Sequence, residues 1–75
     1  MQIGAYSSAA LAERGWNDVA AMFPGQMAGK TKRVEPVESN GATLHRAFIG
    51  GFSSREEAQA FCEALKGRGR QCLVR

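Results

Sequence analysis

Seventy-five residues, 44% hydrophobic and 23% charged, make one small domain near the lower size limit for folding alone, and they exclude a second domain, a disordered chain or a collagen-like one. Ten Lys and Arg against seven Asp and Glu leave a formal charge of +3, which favours anionic partners without choosing among nucleic acid, anionic lipid and acidic polysaccharide. The longest uninterrupted apolar run, Val19 to Phe23, is far short of the ~20 residues that cross a bilayer, and no stretch reads as a targeting or membrane segment.

The first element is a strand leading into a turn, Ile3-Gly4-Ala5-Tyr6-Ser7-Ser8. Ser8 is the expected N-cap of a helix whose apolar stripe is Ala12, Trp16, Val19 and Phe23, stopped by Pro24-Gly25. Trp16, on that stripe, reads as core filler. From Lys30 to Ile49 two alternating runs flank Asn40-Gly41, the strongest short hairpin signal. A two-residue turn there pairs Val37 with Leu44, Glu35 with Arg46 and Arg33 with Phe48 on one face. Pro36 with His45 and Val34 with Ala47 fall on the other. This register predicts a Glu35–Arg46 ion pair across the strands, and Pro36 fits an edge strand, where its missing N–H costs no ladder bond.

The opening motif then returns as Ile49-Gly50-Gly51-Phe52-Ser53-Ser54, so the chain holds two strand-turn-helix units in one pseudo-symmetric domain. Ser54-Arg55-Glu56-Glu57 is a capping box, and Ala58, Phe61, Cys62 and Leu65 fall on one helical stripe that Gly67 and Gly69 end. A last strand is expected at about Gln71 to Arg75.

The order β-α-β-β-α-β predicts an α+β fold, a ferredoxin-like or RNP-like sandwich with a four-stranded antiparallel sheet in the order 4-1-3-2 and two helices on one face. Alternation turns Ile3, Ala47, Ile49, Cys72 and Val74 toward the helices. It leaves Gln2, Gly4, Arg33, Glu35, Leu44, Arg46, Phe48 and Leu73 on the open face. Phe48, Leu44 and Leu73 beside arginines and a glutamine make an amphipathic platform that a monomer gains nothing by exposing.

The residues offer little for catalysis. The single His, His45, turns to the helix side; no nucleophile has a partner; Glu13, Asp18, Glu56, Glu57 and Glu63 read as solvated or capping carboxylates. Two Cys without a Cys-x-x-Cys spacing and one His give no tetrahedral metal set. Gly50-Gly51 and Gly67-Arg68-Gly69 lack the strand-loop-helix signature of a phosphate loop. No catalytic residue, metal or cofactor is therefore expected. Cys62 and Cys72 share the inward phase, so a disulfide and two buried reduced thiols are both open on the residues alone.

Three segments carry a family resemblance: Gln2 to Ser8, His45-Arg46-Ala47-Phe48-Ile49-Gly50-Gly51-Phe52-Ser53-Ser54-Arg55-Glu56-Glu57-Ala58, and Gly69-Arg70-Gln71-Cys72-Leu73-Val74. Together they resemble the SPOR domain, the sporulation-related repeat of bacterial cell-envelope proteins, over essentially the whole chain. The resemblance implies a non-catalytic periplasmic module that binds peptidoglycan glycan strands stripped of stem peptides and targets its parent protein to the division septum or to sites of wall remodelling. It implies a single domain over residues 1–75 from the C-terminal end of a longer envelope protein, with which Met1 directly against a strand agrees. It also implies a monomer, and a membrane reached only through the parent.

The resemblance places binding on the open sheet face, with Gln2 and Arg46 at matching positions; Ala5 stands where Ser is frequent, and Leu44 where an aromatic is. The candidate glycan-binding residues are Gln2, Tyr6, Ser7, Arg33, Leu44, Arg46, Phe48 and Leu73. In an oxidising compartment Cys62 and Cys72 are expected to be bonded. Two alternatives use the same open face: a protein-interaction domain, and an RNA-recognition-like module that stacks bases on Phe48. Against nucleic acid stand Gln2 and Gly4 where stacking modules carry an aromatic, and a modest charge.

Overall fold

The computed structural model describes residues 1–74. In chain order it contains β1 (Gln2–Tyr6), α1 (Ala9–Met22), the short α2 (Pro24–Met27), β2 (Thr31–Ser39), β3 (Ala42–Gly50) and α3 (Arg55–Gly67). The strands form a three-stranded antiparallel sheet in the order β1-β3-β2.

The fourth strand expected at about Gln71 to Arg75 is not formed among the described residues. In its place Leu73 makes an isolated antiparallel bridge to Gln2, each N–H donating to the other's carbonyl at 2.8 Å, and Arg75 lies outside the described residues. The segment is tied to both long helices. Cys72 is bonded to Cys62 on α3, and the Arg70 guanidinium donates to the Gly15 carbonyl on α1 at 3.3 Å. Held there, the segment meets the outer edge of β1 at Leu73.

Local chemistry starts both long helices as expected. The Ser8 hydroxyl accepts from the Leu11 N–H and the Ser54 hydroxyl from the Glu57 N–H, each at 3.1 Å, satisfying donors that a helix start leaves free. Pro24 follows the end of α1 and opens α2, where its missing N–H is no loss. α3 buries Ala58, Phe61, Cys62 and Leu65, the stripe read from its spacing. α1 differs: it buries Ala12, Gly15 and Val19, while Trp16 and Phe23 are half-buried at the margin of the core.

The β2–β3 hairpin has the register set by Asn40-Gly41, with all five expected cross-strand pairs in place. Asn40 (φ 52°) and Gly41 (φ 78°) both occupy the left-handed region that this two-residue turn requires. Pro36 lies on the outer strand β2, whose far edge has no partner strand among the described residues.

On β1 the alternation is broken. A bulge between Gln2 and Gly4 places Gln2 opposite Phe48 but Gly4 opposite Ala47, then Ala5 opposite Arg46 and Tyr6 opposite His45. One inserted residue reverses the phase of the rest of the strand. Gly4 is therefore buried on the helix side rather than open, Ala5 takes the exposed position beside Arg46, and Tyr6 turns inward. Ile3, Ala47 and Ile49 of the sheet pack with Ala12, Val19, Met27, Phe61 and Leu65 in one core. The Phe61 ring stands edge-on to Phe23, with centroids 5.2 Å apart.

Candidate functional site

β3 is the middle strand, so its outward side chains occupy the centre of the open face. Arg46 and Phe48 are there because Ala47 and Ile49, at 0% and 1% exposed, anchor the alternate positions against the helices. Gln2 of β1 and Arg33 of β2 flank Phe48; Ala5 and Glu35 flank Arg46. Leu44 lies on the same face nearer the hairpin tip, opposite Val37. Leu73, 50% exposed, extends the face past Gln2 at the β1 edge.

The charges are paired differently from expectation. Glu35 is bonded to Arg33, two residues along its own strand, at 2.5 Å, and Arg46 makes no ion pair among the described residues. Residues i and i+2 project from the same face of a strand, and a second contact draws Arg33 inward: its guanidinium carbon lies 5.2 Å from the Phe48 ring centroid, a cation–π distance. Arg33, Glu35, Arg46 and Phe48 together line a surface cavity of about 380 Å³ whose other walls are Met1, Thr31, Ile49 and Gly50.

The Gln2 amide oxygen is buried without a hydrogen-bond partner among the described residues. A buried acceptor left empty costs about 1–3 kcal/mol, a penalty that an incoming N–H or O–H donor would remove. Chemically, the open face thus presents a guanidinium without an ion pair among the described residues, an aromatic ring partly roofed by a second guanidinium, two apolar leucines and an amide acceptor. Such a surface can pair with a carboxylate, stack on an apolar face and accept from an N–H or O–H donor.

Of the candidate residues, the structure brings Gln2, Arg33, Leu44, Arg46 and Phe48 onto one face with Leu73 at its edge. It does not bring Tyr6, which packs against the core from the helix side, nor does Ser7 lie on the sheet; it is exposed in the turn before α1. Ala5 is a face residue that simple alternation misses, although a signal for it exists, because a glycine inside a strand marks a bulge or a close backbone approach.

Elsewhere, Cys62 and Cys72 form a disulfide with Cα atoms 5.5 Å apart. Lys30 is 3.2 Å from Glu57 and 5.1 Å from the Phe52 ring centroid. The Ser53 hydroxyl and then Lys30 hold the Glu57 carboxyl below the usual carboxylate range. Among the described residues no His, Cys, Asp and Glu cluster is placed to hold a metal, and no helix is long and apolar enough to cross a membrane.

These features define a small α+β domain with one sheet face closed by helices and the other left open, cationic and aromatic. The chain belongs to the SPOR domain family, which it matches over residues 1–75. It is 49% identical, over all 75 of its residues, to the cell division protein FtsN of Caulobacter vibrioides, and it spans 28% of that protein's length. No solved structure matches it.

Proposed function

We propose that this domain is a non-catalytic peptidoglycan-binding module that recognises glycan strands lacking stem peptides. In this reading it acts in the periplasm as a monomer and carries its parent protein to the division septum or to other sites of wall remodelling. Family membership and the division-protein relative support the setting. The observation that carries the chemistry is Arg46, central on the open face and without an ion pair among the described residues. A planar guanidinium engages a carboxylate through two parallel bonds, and removing a stem peptide exposes the lactyl carboxylate of the glycan. Phe48, Leu44 and Leu73 offer flat contact for sugar C–H faces, and Gln2 an acceptor for N-acetyl N–H groups.

Sedimentation with purified sacculi, before and after amidase treatment, tests this. The parent domain should be retained far better after treatment. Arg46→Ala should weaken that retention by about 1.5–3 kcal/mol, the range for charge-assisted hydrogen bonds, while the melting temperature stays within a few degrees because no core volume is lost. Unchanged retention by folded Arg46→Ala would remove the open face as the binding site. Single-stranded RNA should bind only weakly and with steep salt dependence; a sub-micromolar, Phe48-dependent RNA complex at physiological salt would instead favour base stacking.

A further inference from the structure

The arrangement around Arg33 differs from that around Arg46 in a way that bears on selectivity. Three charged side chains, Arg33, Glu35 and Arg46, line one cavity of about 380 Å³ beside the Met1 ammonium, and they are unequally satisfied. Glu35 sits opposite Arg46 in the strand register, yet its carboxylate is bonded to Arg33 at 2.5 Å. Arg33 in turn stays within 5.2 Å of the Phe48 ring centroid, over the ring that the proposed ligand would contact.

We infer that Glu35 is a built-in counter-anion of the binding face, occupying Arg33 with its own carboxylate so that a ligand carboxylate meets side chains of net charge +1 instead of +2. The inference rests on the sheet-face reading above and adds the residue that sets its stringency. Without Glu35, two guanidiniums on neighbouring strands would attract any anion reaching the sheet. With it, a free anion gains Arg46 alone among these side chains, and tight binding needs the sugar and amide contacts as well. The face then selects a carboxylate carried on a saccharide over carboxylates, phosphates or sulfates in general. The pair is also exposed, with side-chain accessibilities of 67% for Arg33 and 43% for Glu35, so its worth to folding is small and its replacement leaves the fold intact.

The test compares Glu35→Gln with the parent on soluble glycan chains prepared from amidase-treated sacculi, across a salt series, after thermal melts show both to be folded. Glu35→Gln should bind on the order of three- to fivefold more tightly at low salt, the equivalent of a surface ion pair, with a steeper loss of affinity as salt rises. It should also gain binding to a simple polyanion such as heparin. On glycan whose carboxyl groups have been converted to neutral amides, parent and variant should bind alike. Equal affinity and equal salt slope on the native glycan overturn the inference, as does an identical gain on the neutral glycan, which would make Glu35 a steric element. Arg46→Ala in the same series separates the two levels. If it weakens binding while Glu35→Gln changes nothing, only the counter-anion role fails; if it too changes nothing, the sheet-face reading fails and this inference with it.

Discussion

The two strand-turn-helix units carry nearly the same signature and fill their interiors differently. Ser8 and Ser54 cap their helices in the same way, and Ala12 and Ala58, then Val19 and Leu65, are buried at corresponding positions. Between them the units diverge. Gly15 answers to Phe61 and Trp16 to Cys62. In the second unit Phe61 is the large core residue, meeting both Phe23 and Phe52, the latter at 6.0 Å. In the first, Gly15 leaves room that the inward-turned Tyr6 ring occupies. A strand-turn-Ser signature therefore specifies where a helix starts and which positions of its stripe are buried first and last. The filling of the space beneath is decided pair by pair, because only total volume must be conserved.

The largest effect should come from the position where the units differ in covalent chemistry. Cys62 joins α3 to the C-terminal segment, whereas Trp16 in the equivalent place is half-buried with Lys32 5.4 Å from its ring centroid. Closing so short a loop is worth about 2–3 kcal/mol in the chain-entropy model, a large share of the stability of a domain this small. Reduction, or Cys72→Ala, should lower the melting temperature by roughly 10–20 °C and loosen the Leu73 bridge to Gln2, read as faster hydrogen exchange at both amides. Thiol counting in denaturant without reductant should find neither Cys free. A reduced domain melting within a few degrees of the oxidised one would show that packing alone holds the segment.

Next in size is the Tyr6–Gly15 contact. A Cβ at Gly15 would collide with the Tyr6 hydroxyl oxygen and lie 2.5 Å from the ring carbon bearing it. Alanine normally gains about 1 kcal/mol over glycine inside a helix, and overpacking costs about 1–3 kcal/mol, so Gly15→Ala should be neutral to about 2 kcal/mol destabilising. In a Tyr6→Ala background the same substitution should stabilise. A double-mutant cycle by urea denaturation should therefore give a coupling energy on the order of 1 kcal/mol or more; additive effects would mean that Tyr6 does not fill the space above Gly15.

The sheet face is legible in the sequence where a local device sets geometry. Asn40-Gly41 dictates the hairpin register, and with it the placement of Arg33, Arg46 and Phe48. The α3 stripe and its cap follow from spacing and capping chemistry, and the shared inward phase of Cys62 and Cys72 brings the two sulfurs together. Features that depend on tertiary fit are not legible. The bulge that turns Gly4 and Tyr6 inward answers to the packing of Tyr6 against Gly15, a contact between elements that neither strand alternation nor helix periodicity encodes. Glu35's choice of Arg33 over Arg46 is likewise a matter of side-chain packing on the face, where Arg33 also lies 5.2 Å from the Phe48 ring centroid. Among the described residues the fourth strand is reduced to one bridge, and the segment that carries it is tied to the helices through the Cys62–Cys72 bond and the Arg70 guanidinium.

The smallest effect concerns the helix starts. Glu57 occupies the third position of α3, where its carboxylate accepts from Ser53 and pairs with Lys30; α1 has Leu11 at that position, 41% exposed, and no acidic residue in its first turn. Because the folded-state pKa of Glu57 is depressed, its contribution to stability is fully present above the ordinary glutamate value of about 4.3 and is lost as pH falls through the lower folded value. Glu57→Gln should therefore melt slightly below the parent near neutral pH, with the two curves converging in acid. Transplanting the device is the converse: Leu11→Glu should stabilise α1 by about 0.3–1 kcal/mol through the helix dipole and a capping box, since Leu11 lies outside the buried core. Ser7 stands where Ser53 does, so Ser7→Ala should remove part of that gain, and the gain should vanish in acid. If Leu11→Glu lowers the melting temperature at neutral pH, then Leu11 belongs to the packing of the first unit, and the difference between the two helix starts is one of core filling as well as capping.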